Sequence, residues 1–327
     1  MPDLTLTVII PVYNDAAVLE KCLRAVMTAD GSPQVIVVDD ASTDASAAIA
    51  EHFPCTVLRL KKNSGAASAR NHGAKSARGD ILFFLDSDIL VESDTFVRIL
   101  QIFQAHPEIA ALFGSYQSDT VPQNFVSQYK NLLHHYTHQI ARADAATFCG
   151  GYGAVRRAVF QELGGFDTSY RALEDIEFGY RLHNNGYGTR LQKDLQFTHM
   201  KHYTLARLAR SDVMNRAIPW TQLMLKYGIM RNDLNTRSNN VLSVAVAFAL
   251  LLLLPMCFVL PTLFWVWSAL LILFVALNAS FLAFVWHERG AWFALRTIAM
   301  SWFFYIYSGI GMGLGIAIYL RARVFDR

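Results

Sequence analysis

The chain has 327 residues, enough for one large domain or two smaller ones with a sizeable core. Its hydrophobic content of 53% is high for a water-soluble protein and is concentrated in the last third, while a net charge of +3, evenly spread, argues against a nucleic-acid partner. Cys22, Cys55, Cys149 and Cys257 lie far apart without C-x-x-C spacing, so reduced, partly buried thiols of a cytosolic portion are expected, and the N-terminus lacks the basic region of a signal peptide.

Residues from about 5 to 114 alternate strand and helix. Thr5–Ile10, Gln34–Val38, Cys55–Leu60 and Asp80–Leu85 read as strands, the second and fourth nearly all apolar, as strands of a parallel sheet covered on both faces are. Strand one ends in Pro11-Val12-Tyr13-Asn14, not G-x-G-x-x-G, which argues against a dinucleotide-binding domain. Tyr13 is placed either to stack on a base or to fill the turn. A helix opens at Asn14 or Asp15, with Val18, Leu19, Cys22, Leu23 and Val26 on one face.

Strand two ends in Asp39-Asp40-Ala41-Ser42-Thr43-Asp44. One of these carboxylates can accept from a nucleobase N–H or a ribose hydroxyl, while Asp44 or Ser42 can cap the next helix. A small-residue helix over about 65–77 carries Arg70, whose guanidinium can reach a diphosphate. Strand four runs directly into Asp86-Ser87-Asp88. Open α/β sheets bind ligands at this edge, and paired carboxylates there suit Mg2+ or Mn2+ and the phosphates of a nucleotide, although either can also cap the helix near Ser93.

The stretch from 115 to 235 is less regular. His134, His135 and His138 have an i, i+4 spacing that can bind zinc, but no acidic residue accompanies them and a solvated helix face is expected. His202 to Asp233 is basic and amphipathic: Arg207, Arg210, Arg216, Lys226 and Arg231 alternate with Leu205, Leu208, Val213, Ile218, Trp220, Leu223 and Leu225, the pattern of a helix lying on an anionic leaflet.

Val241 to Trp286 then gives 46 residues without a charge, enough for two spans with a turn at Leu260-Pro261-Thr262. A further uncharged run, Thr297 to Leu320, is either a third span, with Gly309, Gly311, Gly313 and Gly315 allowing close helix contact, or a re-entrant or interfacial segment broken at those glycines. Three spans from a cytosolic start would put Arg321, Arg323 and Arg327 outside, against the positive-inside tendency. The expected division is a catalytic domain over 1–200, amphipathic helices over 201–238 and a membrane domain over 239–327.

Taken in order, Thr7 through Asn14, Val37 through Asp44, Gly65 through Gly73, Asp86-Ser87-Asp88, Gly150-Gly151 with Arg156-Arg157, Leu163 through Asp167 and Glu174-Asp175 resemble the successive motifs of family-2 glycosyltransferases. The resemblance implies the GT-A fold, a doubly wound mixed α/β sheet, here with C-terminal membrane helices. It also implies a nucleotide-sugar donor, Mg2+ or Mn2+, and inversion at the anomeric carbon.

Carried onto these positions, Pro11, Tyr13, Asn14, Asp39 or Asp40, Arg70, Asp86 and Ser87 would hold the donor. Asp88 would bind the metal, with Asp86 on the ribose or the metal and His199 as a further ligand. Gly150 and Gly151 would line the acceptor side. Asp175, beside Glu174, would be the general base; without the resemblance the pair would read as the acidic first turn of a helix.

The expected activity is transfer of a sugar to a hydroxyl of a lipid or lipid-linked acceptor, at the cytoplasmic face of a bacterial-type inner membrane crossed more than once. A polyprenyl-phosphate sugar synthase is the near alternative, disfavoured by Glu174-Asp175. A processive synthase is disfavoured because Asn215 through Trp220 only loosely echoes Q-x-x-R-W. A catalytically silent scaffold would have lost an acidic motif, and none is missing.

Overall fold

The computed structural model describes residues 4–229 and 237–325; Met1, Pro2, Asp3, Arg231, Asp233 and Arg327 lie outside them. Two compact units divide the chain. The first runs to Pro122 and resumes over Arg142–His202; the second takes Gln123–Ala141 and the chain from Tyr203 onward. The second unit therefore includes a helix from within the stretch 1–200 that reads as one domain in sequence.

In the first unit, β1 (Leu6–Val12), β2 (Gln34–Asp39), β3 (Thr56–Arg59), β4 (Ile81–Leu85), β5 (Ile89–Leu90), β6 (Ile109–Tyr116), β7 (Asp144–Ala145), β8 (Tyr152–Arg156) and β9 (Gly188–His199) form one mixed sheet. Its order is β3-β2-β1-β4-β8-β6-β9-β5, with β7 paired to β9. The first four strands of that order are parallel, as the βα alternation predicts. β8 then enters antiparallel between β4 and β6. β1 and β4 are buried along their whole length, so hydrophobic burial on both faces fixes them at the centre.

Helices α1 (Ala16–Thr28), α2 (Ser46–Glu51), α3 (Ala66–Ser76) and α4 (Thr95–Ala105) follow their strands. Leu19, Cys22, Leu23 and Val26 are the buried face of α1, four of the five residues expected there. α3 lies tight on the sheet: a β-carbon on Gly73 would come 2.6 Å from Ile9 Cγ2.

In the second unit, α5 (Phe125–Ile140) buries Tyr129 and Leu132 with Leu208, Phe281 and Val285. His134 Nε2 lies 2.6 Å from Arg216 Nη1, and His135 stacks on Phe284 with centroids 5.6 Å apart. The histidine face is thus half-buried and packed within the unit, where a solvated face was expected.

Back in the first unit, α6 (Arg157–Glu162) and α7 (Glu174–Asn184) close the sheet's other end. Phe166 joins Phe84 of β4 to Phe178 of α7, with ring centroids 5.0 and 5.2 Å away respectively. Edge-to-face aromatic packing therefore sets α7 against the strand that leads into Asp86.

The second unit continues with α8 (Leu205–Asp212) and α9 (Ile218–Tyr227), joined by one π-helical turn over Val213–Ala217. α10 (Ser238–Val259), α11 (Leu263–Leu277) and α12 (Ala279–Phe325) follow. Two of these are long and apolar enough to cross a membrane: α10 with 22 residues and the stretch Ala279–Val324. α11 has 15, about 22 Å at helical rise.

The turn between α10 and α11 falls at Leu260-Pro261-Thr262 as expected. The second arm, however, stops at Leu277 instead of reaching Trp286. Asn278 ends it by giving its side chain to Ser243 Oγ and the Phe274 carbonyl and accepting from Tyr305. α12 is not broken at Gly309–Gly315 either. Its break is at Gly290, with φ 81°, a conformation that glycine adopts without steric cost.

Candidate active site

The acidic motifs meet in the first unit, at the carboxyl edge of β1, β2 and β4. Arg70, only 4% exposed, reaches up from α3 and forks between two of them. Its Nη1 donates to Glu174 Oε1 at 2.5 Å and its Nη2 to Asp86 Oδ1 at 2.7 Å. A planar guanidinium spans two carboxylates at fixed separation, which a point-charge ammonium cannot do. The resemblance implies a place for Arg70 facing the diphosphate; in the structure it also ties the D-x-D strand to α7.

Asp175, the neighbour of Glu174, stays partly open. Its Oδ2 accepts the Gly150 amide at 2.9 Å and its Oδ1 the Ile176 amide at 2.8 Å. Burial, reinforced by the charge of Glu174, raises its carboxyl to about 6, against the pull of the Gly150 amide and Arg70. A base near neutrality is suited to take a hydroxyl proton at physiological pH. Leu173, just before the motif, sits at φ 62°, a left-handed conformation costing roughly 1–2 kcal/mol for a residue with a β-carbon. Glu174 is buried and bound to Arg70, so of the expected pair it organises the site, while Asp175 is half-buried beside it.

Gly150 and Gly151, expected on the acceptor side, are spacers for these carboxylates. A β-carbon on Gly151 would lie 2.7 Å from Asp86 Oδ2, and one on Gly150 would lie 3.1 Å from Asp175 Cβ. The Gly151 carbonyl also accepts the Asp86 amide at 2.8 Å.

Asp88 turns toward His199, with Oδ2 3.6 Å from Nε2. The β5–β9 ladder sets this pair, since Ile89 opposes His199 and the Met200 amide donates to the Asp88 carbonyl at 2.8 Å. Tyr116 stacks on the imidazole at 4.7 Å and holds its plane. Burial raises the Asp88 carboxyl, but the His199 hydrogen bond, with the charges of His199 and Lys201, outweighs it and holds the group below its ordinary value. Asp86 is pushed up by burial, opposed by Arg70 and reinforced by Asp88.

Among the described residues no group of three or more His, Cys, Asp and Glu could hold a metal ion by itself. The donor set still fits Mg2+ or Mn2+, which bind through one or two carboxylates and complete their shell with substrate phosphates and water. Asp88 and His199, with the free side of Asp86, would be the residues to hold it.

The remaining expected donor residues divide. Tyr13 is 47% exposed at the end of β1 and free to stack on a base. Pro11 is buried within β1, opposite Val38. Asn14 clasps two turns together, accepting from the Thr43 amide at 2.8 Å and donating its own amide to Ser42 Oγ at 3.0 Å. Asp40 takes the Ser64 and Gly65 amides, each at 2.8 Å, and so fixes the entry to α3. Asp39, buried at the end of β2, accepts the Ser42 amide at Oδ1, 3.1 Å. Ser87 is buried and gives its hydroxyl to Asp15. Lys201, exposed, lies one residue past the Met200 bond to Asp88; its charge reaches both Asp86 and Asp88. Nothing local marks it in the sequence; the antiparallel return of β9 beside β5 brings it here.

The Glycosyl transferase family 2 model matches residues 7–164. An uncharacterised glycosyltransferase of Haemophilus influenzae is 32% identical over 183 residues, 54% of this chain and 61% of that protein. Poly-beta-1,6-N-acetyl-D-glucosamine synthase of Staphylococcus aureus is 26% identical over 192 residues, 56% of this chain and 46% of that one. The matches thus span about half to three-fifths of these relatives. Among solved structures, a mannosyltransferase from Pyrobaculum calidifontis in complex with GDP-Man and Mn2+ shares the fold with a TM-score of 0.61 and 21% identity, covering 94% of this chain and 87% of that one.

Proposed function

We propose, from the match of residues 7–164 to the Glycosyl transferase family 2 model and from the shared fold, that the protein moves a sugar from a nucleoside-diphosphate donor to a hydroxyl of a lipid or lipid-linked acceptor, with inversion. The observation that carries the reading is the single hydrogen-bonded unit of Asp86, Arg70 and Glu174, with Asp175 beside it on Gly150.

In this reaction Tyr13 stacks on the donor base and Asp39 accepts from base or ribose. The Asp175 carboxylate takes the acceptor hydroxyl proton as that oxygen bonds to the anomeric carbon. The bond from that carbon to the diphosphate oxygen breaks on the opposite side, and the nucleoside diphosphate leaves with its electron pair. Such a base contributes roughly 10²–10⁴-fold. A divalent cation, held by Asp88, His199 and Asp86, would disperse the charge on the leaving diphosphate.

A lipid or lipid-linked acceptor is supported by α10 and the apolar α11 beside it, since α10 has the length and composition to enter a bilayer. The first unit then works at the cytoplasmic face of a bacterial-type inner membrane. The test is a donor screen on the purified protein in detergent, with Mn2+ or Mg2+, scoring released nucleoside diphosphate with and without lipid-linked acceptor. Release from no donor under either metal would end the enzyme reading.

A further inference from the structure

The second unit holds an uncharged helix whose place relative to the bilayer the composition leaves open. Its contacts decide it. Past Gly290, the polar and close contacts that α12 makes with α10 among the described residues fall between Asn240 and Phe248. Trp302 Nε1 donates to the Ala247 carbonyl at 3.0 Å, Tyr305 donates to Asn240 Oδ1 at 3.0 Å, and Gly309 lies against Val244 and Phe248. Further on its partners change to the π turn and α9. Gly311 lies against Ala217, Gly315 against the Ile218 carbonyl, and Tyr319 donates to the Leu225 carbonyl at 3.2 Å. A span alongside α10 would meet successive turns of it up to Val259. α12 instead crosses the base of α10 and follows α9, which succeeds the first unit in the chain.

Charge at its midpoint points the same way. Tyr307, near the centre of the uncharged run, donates to Asp212 Oδ2 at 2.9 Å, and that carboxylate is paired with Lys130 Nζ at 2.8 Å. Were the run a span, this ion pair would lie near the bilayer midplane, where a charged side chain costs several kcal/mol. The tip of the α10–α11 hairpin shows the opposite character. Phe258, Val259 and Trp265 are 85%, 79% and 78% exposed, with no charge between Val241 and Trp286.

We infer that α12 beyond Gly290 does not cross the bilayer but lies in one leaflet beside α9, at the boundary of headgroups and acyl chains, and that the α10–α11 hairpin is the part that reaches deeper into the hydrocarbon. This rests on the membrane reading above. The partner is an anionic lipid surface: exposed Trp292, Leu295, Leu314 and Ile318 meet acyl chains while Arg321 and Arg323 meet headgroups. The arginine-rich end then stays at the leaflet from which the hairpin enters, which removes the conflict with the positive-inside tendency.

The test uses the full chain in vesicles of phosphatidylethanolamine and phosphatidylglycerol. One spin label is placed on Leu314→Cys, in a background where the other cysteines are replaced by serine, and one on native Cys257 near the hairpin tip; depth is read from oxygen against nickel-chelate accessibility. The expected result is a label at Leu314 roughly 5–10 Å below the headgroups and one at Cys257 deeper than that. A Leu314 label at the midplane overturns the inference. So does a C-terminal alkaline phosphatase fusion active in the periplasm, which would place Arg323 across the membrane from the first unit. If both labels are water-accessible, or carbonate washing frees the protein, the membrane reading fails and this inference with it.

Discussion

Gly151 stands so close to Asp86 that a β-carbon would intrude to 2.7 Å from the carboxylate oxygen. The D-x-D strand and the antiparallel β8 are packed through this contact, and the Asp86 amide closes it by donating to the Gly151 carbonyl. Gly151→Ala should therefore displace Asp86 while leaving the sheet paired. Since a misplacement of about 1 Å can cost roughly 10²-fold in rate, turnover is expected to fall by that order with little change in thermal midpoint, measured by steady-state transfer and calorimetry on the same preparation.

Asp175→Asn should lower transfer by about 10²–10⁴-fold and leave nucleotide affinity intact. Because the carboxyl titrates at about 6, the wild-type rate should rise as pH increases through that value and the base loses its proton. In the variant this acidic limb should vanish. A retained limb at the same pH would assign it to another group.

Replacing Arg70 leaves Glu174 and Asp86 without their shared cation. Breaking a buried charge pair costs about 3–5 kcal/mol, so Arg70→Met should shift the urea midpoint of the first transition by a corresponding amount. Arg70→Lys should recover little, because one ammonium cannot bond both carboxylates in the fork geometry.

Tyr13→Ala should raise the donor KM while kcat holds, since stacking on a base is worth about 1–3 kcal/mol. Tyr13→Phe, which keeps the ring, should stay close to wild type. Equal KM values for all three would remove Tyr13 from the donor site.

Three carboxylates, Asp86, Glu174 and Asp175, act on one buried guanidinium, Asp88 stands beside Asp86, and a diphosphate adds further negative charge. With both Arg70 terminal nitrogens engaged, Lys201 is the cation placed to offset it. Lys201→Met should weaken Mn2+-dependent binding of inorganic pyrophosphate by about tenfold, the size of one charge-assisted contact, and Lys201→Arg should restore most of it. Isothermal titration reads both.

Local pattern was sufficient for the parallel half of the sheet, because β1, β2 and β4 are buried on both faces and announce it as unbroken apolar runs. It was sufficient too for the acidic motifs at the strand ends and for the position of the hairpin turn, where Pro261 cannot continue a helix. What each acidic or basic group does was decided only by tertiary contact. Arg70 and Glu174 are 104 residues apart, and no local signal tells that a guanidinium will spend its fork on carboxylates. Asp39 and Asp40 look alike in sequence and separate only because the amides of Ser64 and Gly65 return to one of them. Likewise, hydrophobicity made α12 apolar without placing it, since apolar surface has no direction; the hydrogen bonds of Trp302, Tyr305, Tyr307 and Tyr319, which do, set where it runs.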